Sequence, residues 1–219
     1  GNNARRYVMV PGYVAQPWAA MADSFHLPAD SAKNKLIISV HAYDPWTFAG
    51  ENPGETKFTQ EARDGIEGTF SALNEKFVSK GVGVVIGECG ATNKNNLPER
   101  EAWFRFYFEN AKKNGITAIL WDNGSWEVDN DTFAEHFGYY NRTEQTWYWP
   151  TLLKAALDGV ADADFLLALA FLFLAGDITH KTDQHFTVFC RNNGLFHIAI
   201  IFSKVQSLVV DASFFLLYF

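Results

Sequence analysis

The sequence predicts an α/β fold of the (β/α)8-barrel type, present as about four consecutive βα units and followed by an apolar tail of a different kind. Three observations predict it. Short apolar runs alternate with amphipathic helical segments along residues 1–158, the pattern of parallel strands joined by helical crossovers. The longest loops follow strands, whereas the returns from helix to strand are as short as Gly81-Val82 and Gly115-Ile116. That asymmetry suits a barrel whose working face is built from βα loops. No Gly-x-Gly-x-x-Gly follows any strand, which argues against the competing doubly wound dinucleotide fold. A complete barrel needs roughly 250 residues. Residues 1–158 of this 219-residue chain are therefore expected to form about half of one, or else a small four-unit α/β domain.

Taken in order, residues 7–11 (Tyr-Val-Met-Val-Pro) form the first strand candidate, closed by Pro11-Gly12. Residues 18–21 begin a helix or a loop. Residues 36–40 (Leu-Ile-Ile-Ser-Val) form the second strand and run into His41-Ala42-Tyr43-Asp44-Pro45. Strand alternation points His41 and Tyr43 to the same side. An amphipathic helix follows, with Thr59 as N-cap and Ile66, Phe70, Leu73 and Phe77 on its apolar face. Lys76 and Lys80 precede Gly81, as the helix dipole and a C′ glycine favour. The third strand (Gly-Val-Val-Ile-Gly) delivers Glu88 at its carboxyl end, with Gly87 and Gly90 bracketing Glu88 and Cys89. A second helix starts near Pro98, carries Trp103, Phe106, Tyr107 and Ala111 on its apolar face, and stops at Gly115. The fourth strand, residues 116–121, breaks at Asp122-Asn123-Gly124. A polar and aromatic loop then reaches Trp149, and Pro150 opens the last helix.

Composition narrows the function. Net charge is −7 with no basic run, which excludes nucleic acid as an expected partner. All seven Trp lie between Trp18 and Trp149, and exposed indoles suit ligands with flat apolar faces such as sugar rings. The only cysteines, Cys89 and Cys190, sit in unlike surroundings, and no metal-ligand spacing exists, so neither a disulfide nor a metal is expected. The first residues carry no apolar signal-peptide core and read as the inside of a domain.

Residues 159–219 form the second expected region. Residues 160–219 hold ten of the twenty Phe and no Trp, Pro or Glu, so the composition shifts abruptly. The apolar run at residues 165–175 is short of the ~20 residues that cross a bilayer, which argues against a membrane partner. Three readings stand: a helical element covering an open sheet edge, a membrane-associating tail, or sequence lying outside the selected domain. The shift in composition favours the third. Half a barrel also leaves open edges, which favours self-association.

Placed on one face, the strand ends gather His41, Tyr43, Glu88, Trp121 and Asn123. One hard ligand does not make a metal site, and without Lys, Arg or a glycine-rich loop there is no phosphate site. The set does suit a glycosidase, in which a carboxylate attacks the anomeric carbon, hydroxyl and imidazole groups align it, and an indole forms the sugar platform. The blander alternatives are a strand-end histidine, a core tryptophan and a surface acid.

The motifs His41-Ala42-Tyr43, Ile86-Gly87-Glu88-Cys89-Gly90 and Leu120-Trp121-Asp122-Asn123-Gly124 resemble strands six, seven and eight of glycoside hydrolase family 5. They are most similar to its endo-β-1,4-glucanases (cellulases) and xyloglucanases. The segment from Arg6 to Tyr13 resembles strand five, and the resemblance covers about residues 4–158. It implies strands five to eight of a barrel, Glu88 as nucleophile, and His41 and Tyr43 as the pair that hydrogen-bonds around the catalytic acids. It implies Trp121 as the indole under the sugar, with Trp46, Asn123 and Trp126 as further cleft residues. It further implies a β-glucan polysaccharide or oligosaccharide as partner, no cofactor and a secreted location. The family's general acid/base lies in an Asn-Glu-Pro motif, which this sequence lacks. The chain alone is therefore expected to hydrolyse little, and a non-catalytic glucan-binding role is the alternative.

Overall fold

Four parallel strands make the frame: β1 (Val8–Pro11), β2 (Leu36–His41), β3 (Gly83–Cys89) and β4 (Thr117–Leu120), side by side in chain order. The computed structural model describes residues 6–128, 134–176, 197–200 and 208–211. The chain divides into two compact units, residues 1–170 and 171–219.

In the first unit, helices α1 (Pro17–Met21), α2 (Trp46–Ala49), α3 (Gln60–Lys76), α4 (Leu97–Lys113) and α5 (Pro150–Gly176) follow the strands; α5 continues into the second unit. The Thr59 hydroxyl accepts the Ala62 N–H at 3.2 Å and starts α3. Ile66, Phe70 and Leu73 are fully buried at the expected spacing, each worth about 1.5–3 kcal/mol of burial. Gly81 and Gly115 adopt φ of +80° and +66°, the left-handed turn that lets each helix return within a few residues to its strand.

On α4 the buried stripe is Arg100, Trp103, Phe104, Tyr107, Asn110 and Ala111. Phe106, expected on that face, is only partly buried and packs edge-on to Phe58 at 5.8 Å. The stripe passes through Phe104 instead, whose ring meets Tyr139 at 5.4 Å. Two polar residues in the stripe disguise its period.

The long segment after β4 contains an antiparallel pair the sequence did not signal: β5 (Tyr140–Asn141) and β6 (Thr146–Trp147). The apolar run of residues 165–175 lies in α5, and Arg105 of α4 pairs with Asp158 and Asp162 of α5, as Lys112 does with Asp164. In the second unit, β7 (His197–Ile200) pairs antiparallel with β8 (Leu208–Asp211). The rest of the apolar tail, with Cys190, lies outside the described residues.

One irregularity aims the site. Along β3, Val84 and Ile86 are buried while Val85 is partly exposed. Unbroken alternation would send Glu88 to the buried side with Ile86. Instead β3 holds one residue more than each neighbour. Ile86 pairs with Val40, yet Glu88 pairs with His41, and toward β4 Ala118 and Leu120 face Ile86 and Cys89. Gly87 is the added residue, a β-bulge that turns Glu88 to the open face and Cys89 into the core.

Candidate active site

β2 and β3 bring His41, Tyr43 and Glu88 together. In β2 and its extension, Ile38, Val40 and Ala42 are buried, so His41 and Tyr43 project from the opposite face, as alternation predicts. The Tyr43 hydroxyl donates to Glu88 Oε2 at 2.9 Å, and His41 Nδ1 lies 3.3 Å from the same oxygen. Glu88 Oε1 takes no hydrogen bond from the described residues. Burial first, then the Glu88 hydrogen bond and charge, push the Tyr43 phenol well above the ordinary tyrosine range, so it remains a proton donor.

Trp46 meets Tyr43 edge-on at 6.1 Å and is 52% exposed. With His41, Tyr43, Asp44, Val14, Gln16 and Pro17 it lines a cleft of about 240 Å³. Trp121 follows β4 directly. Its N–H bonds the Cys89 carbonyl at 2.9 Å, and its side chain is 43% exposed. Trp126 stands in a separate aromatic cluster, stacked on Tyr148 at 4.7 Å and near Trp149. Asn123 spends its amide on the loop: Oδ1 accepts from Ser125 N and Phe137 N, and Nδ2 donates to the Glu135 carbonyl.

Several supporting residues escaped the sequence reading. Asp122 Oδ2 accepts from Tyr139 N and Tyr140 N, and Oδ1 from Gly124 N and the Arg142 guanidinium. Partial burial raises its pKa, but these donors outweigh burial and hold the carboxyl below its ordinary range. Arg100 is fully buried, donates through Nε to the Ala91 carbonyl at 3.1 Å and lies over the Trp149 ring at 4.7 Å. The Tyr139 hydroxyl donates to that carbonyl at 3.0 Å and accepts the Ala91 N–H at 2.9 Å. These contacts fix the turn three residues beyond Glu88. The Asp-Asn-Gly turn signal pointed toward Asp122, but nothing in α4's pattern marked Arg100. Burial pushes the Cys89 thiol well above the ordinary range, so Cys89 behaves as a small core residue and not a nucleophile. Among the described residues, no cluster of three His, Cys, Asp or Glu side chains is arranged to hold a metal ion.

Parallel βα units with polar groups collected at the carboxyl ends of their strands place the chain in the (β/α)8-barrel class. The profile of cellulases (glycosyl hydrolase family 5) matches residues 1–127. The chain belongs to glycosyl hydrolase family 5, whose fold is the (β/α)8 barrel. It is 40% identical over 153 residues to endoglucanase B of Ruminococcus albus, covering 70% of this chain and 36% of that protein. It is 34% identical over 163 residues to endoglucanase B of Neocallimastix patriciarum, covering 74% and 33%. Among solved structures, a lichenase variant from Caldicellulosiruptor sp. F32 in complex with cellotetraose superposes with a TM-score of 0.68 at 39% identity. The match covers 73% of this chain and 44% of that one. The chain thus spans about a third of the length of these curated relatives and less than half of that lichenase.

Proposed function

We propose that this chain carries the strand-five-to-eight half of a retaining β-1,4-glucanase barrel, with Glu88 as its nucleophile. The observation that carries the reading is the convergence of Tyr43 and His41 on one oxygen of Glu88, at 2.9 and 3.3 Å. Oε2 is held, and Oε1 is free to attack an anomeric carbon. The exposed indole of Trp121 leaves β4 beside Cys89 and serves as the sugar platform, with Trp46 as a flanking wall. Asn123 shapes the loop that follows. A retaining mechanism needs a second carboxyl ~5–5.5 Å from the first. The sequence offers none in the family's Asn-Glu-Pro setting, so the acid/base belongs to a barrel portion outside residues 1–158. The substrate class is a soluble or fibrous β-glucan, in keeping with the cellotetraose and cellotriose bound by two structural relatives. Polymers of that size are met outside the cell, which supports an extracellular site of action.

The test uses a leaving group that needs no acid. With 2,4-dinitrophenyl 2-deoxy-2-fluoro-β-cellobioside, a Glu88 oxygen forms the bond to C1 as the C1–O bond breaks, and dinitrophenolate departs with the electron pair. The full chain is expected to acquire the fluorocellobiosyl mass on the peptide containing Glu88, and Glu88→Gln to acquire none. It is expected to turn over no carboxymethyl-cellulose. Failure to label Glu88 while cellotetraose still binds, with binding lost in Trp121→Ala, would establish the glucan-binding role instead. That second reading rests on the exposure of Trp46, Trp121 and Trp126.

A further inference from the structure

The loop after β2 is fastened to the loop after β3 by the Lys94 ammonium, the Thr92 N–H and the Asn96 amide, and the ammonium alone makes three of these contacts. Helix α2 is a single turn, so only its first carbonyl keeps a helical partner: Trp46 accepts from Gly50 N–H, and from Glu51 N–H as well. The other three are satisfied from elsewhere. The Thr47 carbonyl accepts from Glu55 N–H and the Ala49 carbonyl from Thr92 N–H, each at 2.8 Å. Lys94 Nζ takes the Phe48 carbonyl at 2.7 Å, the Thr47 carbonyl at 3.1 Å and the Glu55 carbonyl at 3.0 Å. All three ammonium protons are thereby engaged, each by a backbone oxygen of this one loop.

The loop carries Trp46, whose indole rests on the bare backbone of Gly50. A Cβ at Gly50 would overlap the ring. Lys94 and Thr92 stand six and four residues beyond Glu88 on the same connection. A chain of short contacts therefore runs from the Glu88 strand through Lys94 and the α2 carbonyls to the exposed indole beside Tyr43.

We propose that Lys94 is a positioning residue for substrate, fixing the Trp46 wall at a set offset from Glu88 so that this flank of the cleft exists before a glucan chain arrives. The inference rests on the glucan reading above for its ligand, but the clamp itself can be read without one. Arginine offers a comparable spread of donors and is expected to substitute in part, whereas methionine keeps the length and removes every donor. Gly50→Ala displaces the indole while leaving the ammonium untouched, so it separates the position of Trp46 from the charge of Lys94.

The experiment labels the full chain with 5-fluorotryptophan, assigns the Trp46 resonance by its loss in Trp46→Phe, and titrates parent and variants with cellotetraose. Lys94→Met is expected to shift or broaden the Trp46 resonance and to weaken cellotetraose binding about tenfold, the scale of one lost charged hydrogen bond. Lys94→Arg is expected to recover most of both. Gly50→Ala is expected to weaken binding with all Lys94 contacts retained. An unchanged Trp46 resonance in Lys94→Met overturns the clamp, and unchanged binding with a shifted resonance overturns its role toward substrate. A parent that binds no cellotetraose overturns the glucan reading, and the fluorine signal then still decides the clamp.

Discussion

Replacing Asp122 by Asn tests how the β4 exit loop is held. Its carboxylate accepts from Tyr139 N at 3.0 Å, Tyr140 N at 2.9 Å, Gly124 N at 2.8 Å and Arg142 at 3.1 Å. An amide supplies one oxygen in place of two and turns an NH2 toward backbone donors. If its oxygen keeps Gly124 and Arg142, the N–H groups of Tyr139 and Tyr140 lose their acceptor. At about 1–3 kcal/mol for each stranded buried donor, and with both sites only partly shielded, the cost at pH 7 is about 2–4 kcal/mol. The pH dependence follows from the lowered carboxyl pKa. The stabilisation is complete above the ordinary aspartate value of 3.8 and is lost as pH falls through the lower native value. Urea denaturation of parent and Asp122→Asn, followed by tryptophan fluorescence from pH 7 to pH 2.5, should show a gap that closes only toward the acid end. A gap that keeps its size down to pH 2.5 would refute the account, because its origin would then not be the ionised carboxylate.

Three further outcomes are expected. Tyr43→Phe keeps the ring contacts to Trp46 and Phe137 but loses the hydroxyl on Glu88, so ester formation with the fluorocellobioside should slow about tenfold to a hundredfold while cellotetraose affinity holds. The Lys94 Cε resonance should titrate with a midpoint of about 8, since burial lowers its pKa and the neighbouring Glu51 and Glu55 only partly offset that; as the native value lies below the ordinary 10.5, this group's contribution to stability should rise with pH across that interval. Phe70→Ala removes a fully buried ring that meets Tyr107 edge-on at 5.0 Å and should cost about 3–5 kcal/mol in urea denaturation.

Much of the frame was readable because it is local. Thr59, the Ile66-Phe70-Leu73 spacing and the glycines at 81 and 115 each declare a start, a face or a stop within a few residues. His41 and Tyr43 shared a side because β2 keeps its alternation unbroken to that point. What was hidden depends on contacts distant in sequence. The Phe104 and Phe106 assignment turned on where Tyr139 and Phe58 come to rest. Arg100 reads as a surface residue in any window of the sequence, yet it is fully buried against the Ala91 carbonyl and Trp149. Lys94 looks like an ordinary loop lysine until the short helix α2 and the residues after it turn the Thr47, Phe48 and Glu55 carbonyls toward it.

The surplus residue in β3 gives this architecture an unusual sensitivity to counting. Gly87 carries no side chain, yet as the added residue it decides which side of the sheet the Glu88 carboxylate inhabits. Drawing the bulge out into regular pairing would leave every amino acid unaltered and turn the Glu88 carboxylate to the buried side, with Val84 and Ile86. Where that carboxylate stands is thus encoded as much in the parity of a strand as in the identity of the residue.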